Sequence, residues 1–267
     1  MARPTIALLT DFGTRDHYAG AMKGVALGIC PEATLVDISH DIPPHDVLAG
    51  ALELAAAYKY FPHGTIFVVV VDPGVGSSRR GIAAESGPYR FVGPDNGALT
   101  LVFRDHAPKR VVELTERKYA RPTVSRTFEG RDRFAPAAAW LAKGVDLSAL
   151  GRPITNWQVL DVPTAEIADD HIAGEVLRVD RFGNLVTNIE RAAFSRVASL
   201  AGPIAIAAGP HAIGALVATY AEASAGAVCA LFGSTDHLEV AVNGGSAAET
   251  LGLGRGARVT ISRSEHG

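Results

Sequence analysis

The sequence predicts an α/β protein, with an N-terminal three-layer α/β domain built on a mostly parallel sheet and a small C-terminal β-barrel domain. Three observations lead there. Residues 66–71 (IFVVVV) form an unbroken, mostly β-branched apolar run, which suits a strand buried on both faces by flanking helices. Strand-like and helix-like stretches alternate from residue 6 to residue 92, the pattern of parallel strands joined by right-handed crossovers. After residue 174, short strand-like runs follow one another between Gly-rich turns, as in a small barrel or sandwich. The boundary is expected near residue 165, giving domains 1–164 and 165–267.

The elements follow in order. Ile6 to Leu9 reads as a first strand, ending in Thr10-Asp11-Phe12-Gly13. Residues 17–30 have the helical spacing of small and apolar residues, and Pro31 stops that helix. Leu35 to Ile38 is a second strand, running into a rigid polar loop from Ser39 to Asp46. Residues 46–60 make a helix with Asp46 as its N-cap. After the central strand, Arg90 to Val92 forms another, closed by the turn cluster Gly93-Pro94-Asp95-Asn96-Gly97. A helix follows over 134–143, with Pro136 in its first turn and Asp132 near its N-terminus. Residues 144–172 read as a linker region. The later strands are expected at 174–180, 185–189, 204–207, 227–232, 238–242 and 258–262.

Composition narrows the function. The 267 residues are 48% hydrophobic and 20% charged, which supplies a core for a soluble globular protein. The net charge of −3, with no basic stripe, argues against a nucleic-acid surface. No apolar run approaches the ~18 residues of a membrane span, and the N-terminus lacks the features of a signal peptide. Cys30 and Cys229 sit among apolar neighbours and read as buried free thiols of a reducing cytoplasm.

The chain has no G-x-x-x-x-G-K-[ST] loop, no G-x-S-x-G elbow, and no G-x-G-x-x-G after a strand, which disfavours P-loop, α/β-hydrolase and dinucleotide readings. Acids instead stand at strand ends, where open α/β sheets bind ligands. Asp72 closes the central strand, and the tight Pro73-Gly74-Val75-Gly76 turn can return Arg79 towards it. A plain solvated loop, with Asp72 bonding the turn, is the simpler reading. Asp11 can accept hydrogen bonds from both hydroxyls of a ribose, or cap a turn. The loop 39–46 offers two His and two Asp, but capping and turn roles explain its acids more simply than a metal, and no metal or cofactor is expected. In Asp180-Arg181-Phe182-Gly183-Asn184 a carboxylate, an aromatic ring and an amide can meet an ammonium, apolar and carboxylate ligand, on what is also a β-turn.

Taken together, TDFG, SHDIPPHDV, VVVVDPGVGSSRR, FVGPDNG, the FxGRDxFAP pattern, VDRFGNLVTNI and GSTDHLEVAVNGGSA occur in that order. They resemble the S-adenosyl-L-methionine (SAM) hydroxide adenosyltransferases, also called SAM hydrolases, relatives of fluorinase and chlorinase. The resemblance covers nearly the whole chain. It implies a homotrimer whose pocket lies between one subunit's N-terminal domain and a neighbour's C-terminal domain, with no metal and no nucleotide cofactor. It implies attack of water or hydroxide on ribose C5′ of SAM, releasing methionine and adenosine. A sulfonium leaves as a neutral thioether and needs no general acid, so the site must supply in-line placement and a poorly solvated oxygen.

The resemblance also implies site residues. The family's Asp–Arg–His triad begins at Asp72 and Arg79, but Glu129 stands at the histidine position. Glu129 replaces the histidine as base or water-orienting group, or pairs with Arg79, or marks lost hydrolysis, since a missing general base costs about 10²–10⁴-fold. The last option keeps open a non-catalytic SAM- or adenosine-binding protein. Asp11 matches the ribose contact. His45 matches a position where the halogenases place a Trp on the pocket wall. Asn96 matches a pocket amide, and Phe128 can stack on the ligand. Asp180, Phe182, Asn184 and Ser234 match the methionine end, with one residue fewer between Asp180 and Phe182 than in fluorinase. Val242 and Gly244 match positions whose backbone reads adenine, and Glu239 is typical of the hydrolases. A halogenase-like transferase using another nucleophile is disfavoured by charge. A halide ~4 Å from a carboxylate costs about 4 kcal/mol at an effective dielectric of ~20, roughly a thousandfold in affinity.

Overall fold

The computed structural model describes residues 3–199 and 203–263. The chain divides into two compact units, one ending at Asp161 and the other beginning at Val162.

Unit 1 contains, in order, β1 (Thr5–Thr10), α1 (Tyr18–Ile29), β2 (Thr34–Ser39), α2 (Val47–Ala57), β3 (Ile66–Val70), β4 (Gly81–Ser86), β5 (Tyr89–Pro94), α3 (Thr100–Asp105), β6 (Pro108–Leu114), α4 (Ala135–Ala142) and β7 (Gly151–Pro153). The seven strands form one sheet in the order β2-β1-β3-β5-β4-β6-β7. β1 pairs in parallel with β2 and β3, and β3 with β5. The remaining pairings are antiparallel, so the sheet is parallel where the site lies and antiparallel beyond it. The change of direction has a local cause. β4 returns into β5 through Gly87-Pro88, with Ser86 facing Tyr89 and Gly87 at φ +56°, a two-residue connection that only antiparallel strands can use.

The apolar run of β3 behaves as its composition predicts. Ile66, Val68 and Val70 enter one core with α1 and α4, through Met22, Ala26, Ala138 and Leu141. Phe67, Val69 and Val71 enter a second core with α2 and α3, through Leu54, Leu99 and Val102. Side chains alternate across a strand, so a run with no polar residue is required when both faces are covered. The three layers follow from that. Asp46 caps α2 by accepting the Ala49 amide at 3.0 Å. α4 is preceded by one wide π-helical turn, Gly130–Phe134, rather than beginning at residue 134. Part of the expected linker is ordered: a 3₁₀ turn at Leu147–Leu150 leads into β7, and Trp157 packs against Phe103 with ring centroids 5.5 Å apart.

Unit 2 contains β8 (Glu166–Ile167), β9 (His171–Val179), β10 (Leu185–Glu190), α5 (Arg191–Ala198), β11 (Ile204–Ala208), β12 (His211–Ile213), β13 (Val228–Phe232), β14 (His237–Val242), α6 (Ala247–Leu251) and β15 (Arg258–Arg263). The strands run antiparallel in the order β12-β11-β15-β9-β10-β14-β13, with β8 on β9. A bridge from Leu216 to Ala230 draws the segment after β12 towards β13, so the sheet curls into a nearly closed barrel. Val176, Leu185, Ile206, Val240 and Ile261 fill its interior. All six strands expected here are present, joined by β8, β12 and two short helices.

Cys30 and Cys229 are free and buried, and burial pushes both thiols up. Among the described residues no helix is long and apolar enough to cross a membrane.

Candidate active site

The strand order places the site. α1 carries the chain from β1 to β2 on one side, and α2 returns it past β1 to β3 on the other. The crevice beyond the carboxyl ends of β1 and β3 is therefore the switch point of the parallel half, where open α/β sheets bind ligands. Asp11 lies just beyond β1 and Asp72 just beyond β3. A cavity of about 280 Å³ opens between them, lined by Asp11, Phe12, Tyr18, Pro44, His45, Val70, Asp72, Val75 and residues 127–130.

Each wall has a local origin. Thr10 is fully buried, and its hydroxyl meets His40 Nδ1 at 2.7 Å, while the Gly13 amide donates to the His40 carbonyl at 2.7 Å. These bonds fasten the ends of β1 and β2 together. Asp11 Oδ2 accepts the His45 amide at 2.8 Å, which holds His45 at φ +67°.

The loop after β3 folds back as its composition suggests. The Val75 amide donates to the Asp72 carbonyl, and the Ser77 amide and hydroxyl both donate to the Gly74 carbonyl. Gly76 sits at φ +78°, and a Cβ there would stand 2.7 Å from the Arg126 carbonyl oxygen. Only glycine fits this approach. Arg79 thus returns to Asp72 with both forks: Nε donates to Oδ1 at 2.9 Å and Nη2 to Oδ2. The Asp72 side chain is only 5% exposed. Burial works against the Arg79 charge, but hydrogen bonds and the charges of Asp72 and Glu129 raise its pKa above the ordinary guanidinium value.

Glu129 joins the same group. Its Oε2 lies 2.5 Å from Arg79 Nη2, and its Oε1 accepts from Arg133 Nη1 at 2.9 Å. Of the sequence alternatives, pairing with Arg79 is the arrangement seen. Glu129 is aimed by the π-helical turn that follows it, a device common at functional sites. The turn is anchored by Asp132, fully buried, which accepts from the Ser125 amide at 2.8 Å and from Arg131 at 2.6 and 2.8 Å. Burial alone would raise the Asp132 carboxyl; the hydrogen bonds from Arg131 and Ser125, with the charges of Arg131 and Arg121, hold it below its ordinary value. Phe128 packs edge-on against Tyr18 and Phe12, with centroids 5.1 and 5.9 Å away, and carries the Arg131 guanidinium 4.8 Å over its ring.

Within unit 1 the structure brings together Asp11, His45, Asp72, Phe128 and Glu129 around one cavity, with Arg79 behind Asp72. Asn96 is not among its walls: its Nδ2 donates to the Val71 carbonyl at 2.7 Å and its Oδ1 accepts the Ala98 amide, so it buttresses the residue before Asp72. Sequence reading does not find Arg133, Tyr18, Phe12 or Thr127. The charge of Arg133, four residues after Glu129, is a usable signal.

Unit 2 holds the other expected residues. Asp180 Oδ1 accepts the amides of Phe182 and Asn184, and Oδ2 accepts Asn184 Nδ2, all at 2.8–2.9 Å. This is the β-turn of the sequence reading, with Gly183 at φ +84° and Phe182 76% exposed. Glu239, on β14 opposite Val186, is buried and accepts from the Tyr220 hydroxyl at 2.9 Å. Burial, aided by the Asp180 charge, pushes Glu239 up despite the Tyr220 bond, and burial beside Glu239 pushes Tyr220 up to about 12. Ser234 is in the turn before β14, Val242 ends that strand, and Gly244 follows it at φ +78°.

Known proteins are similar to this chain along most of its length. Residues 6–151 match the family profile described as the SAM hydroxide adenosyltransferase N-terminal domain, and residues 174–260 match the corresponding C-terminal domain. The chain is 38% identical to a protein of Thermus thermophilus named (R)-S-adenosyl-L-methionine hydrolase, over 96% of this chain and 98% of that one. It is 30% identical to a fluorinase of Nocardia brasiliensis over 71% of this chain and 72% of that one. The crystal structure of an uncharacterized conserved protein from Thermotoga maritima superposes with a TM-score of 0.91 at 34% identity, covering 97% of this chain and 100% of that one. With both family domains matched in order along the same chain, this protein belongs to the SAM hydroxide adenosyltransferase family.

Proposed function

We propose that this chain hydrolyses SAM to adenosine and L-methionine, by in-line attack of water or hydroxide on ribose C5′. The observation that carries the reading is the Asp72–Arg79 pair at the wall of a cavity opposite Asp11. Arg79 fixes the plane of the carboxylate, whose remaining lone pairs can orient a water. Asp11, at the end of the neighbouring strand, takes the ribose hydroxyls and thereby sets the distance from C5′ to that water. Phe128 and His45 supply walls for the nucleoside. Asn96, held by the Val71 carbonyl next to Asp72, is the proposed pocket amide. Asp180, Phe182, Asn184, Ser234 and Glu239 are the proposed methionine-end contacts, and the backbone at Val242 and Gly244 the proposed adenine contacts. We assign the protein to a homotrimer and to the cytoplasm. The first rests on the resemblance and is checked by light scattering; the second is supported by two buried free thiols.

A binding role without turnover is the second reading, favoured by one observation. Glu129 stands at the triad's histidine position, and its carboxylate sits between the guanidinium groups of Arg79 and Arg133, an arrangement in which it serves as a counter-charge. Halide transfer is less well supported, since three carboxylates, Asp11, Asp72 and Glu129, line the cavity an anion would have to occupy. Incubation with SAM in oxygen-18 water decides. Labelled adenosine, formed over many turnovers, is expected. Intact bound SAM would favour the binding role, and product requiring halide would favour transfer.

A further inference from the structure

Glu129 and Asp72 compete for one nitrogen. Arg79 Nη2 donates to Asp72 Oδ2 and also lies 2.5 Å from Glu129 Oε2. A guanidinium shared this way can be drawn off the first carboxylate by the second, and two carboxylates gathered on one cation repel each other. The structure holds a second cation that removes the conflict. Arg133 Nη1 donates to Glu129 Oε1 at 2.9 Å, while its Nη2 donates to the Leu114 carbonyl at 2.7 Å. Leu114 is the last residue of β6, so one side chain ties Glu129 to the sheet. The sequence Asp72, Arg79, Glu129, Arg133 then alternates in sign and sums to zero.

The two guanidinium groups are not equivalent. Arg79 is the more enclosed, its side chain 11% exposed against 24% for Arg133. Arg133 lies outside the small cavity and borders a separate cleft of about 850 Å³ formed with residues 113–124. It therefore reaches Glu129 from behind, where it does not touch a ligand in the cavity.

We propose that Arg133 is the positioning residue for Glu129: it supplies that carboxylate with its own cation and so leaves Arg79 bound to Asp72 with both forks. The proposal rests on the hydrolase reading for its consequence in turnover, and on geometry alone for the coupling between positions 129 and 133.

Four proteins test it: wild type, Arg133→Gln, Glu129→His and the double variant, with Arg133→Lys as the conservative control. Arg133→Gln is expected to lower kcat for adenosine formation by about tenfold with KM for SAM within about threefold, because the defect is in placement and not in binding. Arg133→Lys is expected to recover most of that loss. In the Glu129→His background, where no carboxylate needs a second cation, adding Arg133→Gln should change kcat by less than about threefold. An equal loss in both backgrounds, or no loss in the first, overturns the proposal. The same proteins are unfolded in urea. A midpoint shift from Arg133→Gln that shrinks in the Glu129→His background supports the pairing, and an unchanged shift refutes it. That second arm reads the coupling even if wild type forms no adenosine, a result that would sink the hydrolase reading alone.

Discussion

Replacing Asp72 by asparagine keeps the shape of the side chain and removes its charge. Arg79 offers two donors, Nε and Nη2, to the two oxygens of Asp72. An amide has one acceptor, so one of the two bonds becomes a donor facing a donor. The group around it also gains a net positive charge, since Glu129 alone then faces Arg79 and Arg133. Breaking a buried pair costs about 3–5 kcal/mol when the remaining charge has no partner. Arg79 keeps Glu129, so about 1–3 kcal/mol of stability is the expected loss. Turnover should fall further, because the carboxylate that orients water is gone. A loss of about 10²–10⁴-fold is typical for such a group, equivalent to roughly 3–5 kcal/mol in the barrier. Initial rates of adenosine formation at saturating SAM give the first number, urea unfolding the second, and calorimetric titration with adenosine the affinity. Affinity should stay within about tenfold of wild type, since Asp11 and Phe128 are untouched. A folded Asp72→Asn variant with a rate within about tenfold of wild type would refute the reasoning. So would a variant whose affinity fell as far as its rate, because Asp72 would then be a binding group.

Three further outcomes follow from the same geometry. Gly76→Ala forces a residue with a Cβ into a left-handed conformation, about 1–2 kcal/mol by itself, and against the Arg126 carbonyl. Circular dichroism should show the fold retained while adenosine formation drops, because the loop carrying Arg79 must shift. Asp132→Asn should destabilise the protein by about 1–3 kcal/mol at neutral pH, below the figure for a wholly enclosed pair because Arg131 and Arg121 reach solvent. The Asp132 carboxyl is held low in the fold, so its contribution is present above its ordinary value of 3.8 and lost as pH falls from there through the folded value. The difference in melting temperature between wild type and variant should therefore narrow under acid conditions; a constant gap would contradict the assignment. Glu239→Gln tests the opposite sign. Its pKa is raised in the fold, so wild type binds the proton more tightly folded than unfolded and loses stability as pH climbs from 4.5 through the folded value. The glutamine variant, still able to accept the Tyr220 hydroxyl, should melt higher than wild type at neutral pH and no higher at about pH 4.

The legible and illegible parts of this fold differ for physical reasons. Ile66 to Val71 announces a strand covered on both sides because a polar residue at either parity would be buried in a core. The Gly-rich turns of unit 2 mark its strands because such turns need positive φ, as Gly183 and Gly244 show. β4 is harder: Gly-Ile-Ala-Ala-Glu-Ser has small residues where strands usually carry branched ones, and its direction is fixed by pairing with both β5 and β6 rather than by its own residues. In the site, the return of Arg79 to Asp72 is visible because the turn between them is short. The Glu129–Arg133 bond has the i,i+4 spacing of a helical ion pair but lies before residue 134, where the sequence starts its helix, and the use of Asn96 on the Val71 carbonyl needs the sheet itself.

The two adjacent arginines of the loop after β3 serve opposite masters. Arg79 turns inward to Asp72, whereas Arg80 turns to Asp95 at 2.6 and 2.9 Å and to Asn156, and Asp95 in turn accepts the Gln158 amide. The loop must cross from β3 to β4, stepping over β5, and Arg80 rivets its far end to the end of that intervening strand. The span is thus a small bridge with fixed abutments. Val75, at the crest and on the cavity wall, can change in kind while both piers hold, so new chemistry can be tried there without rebuilding the sheet beneath. A change at Arg80, which is not among the residues lining the cavity, would instead release the far end of the span from Asp95.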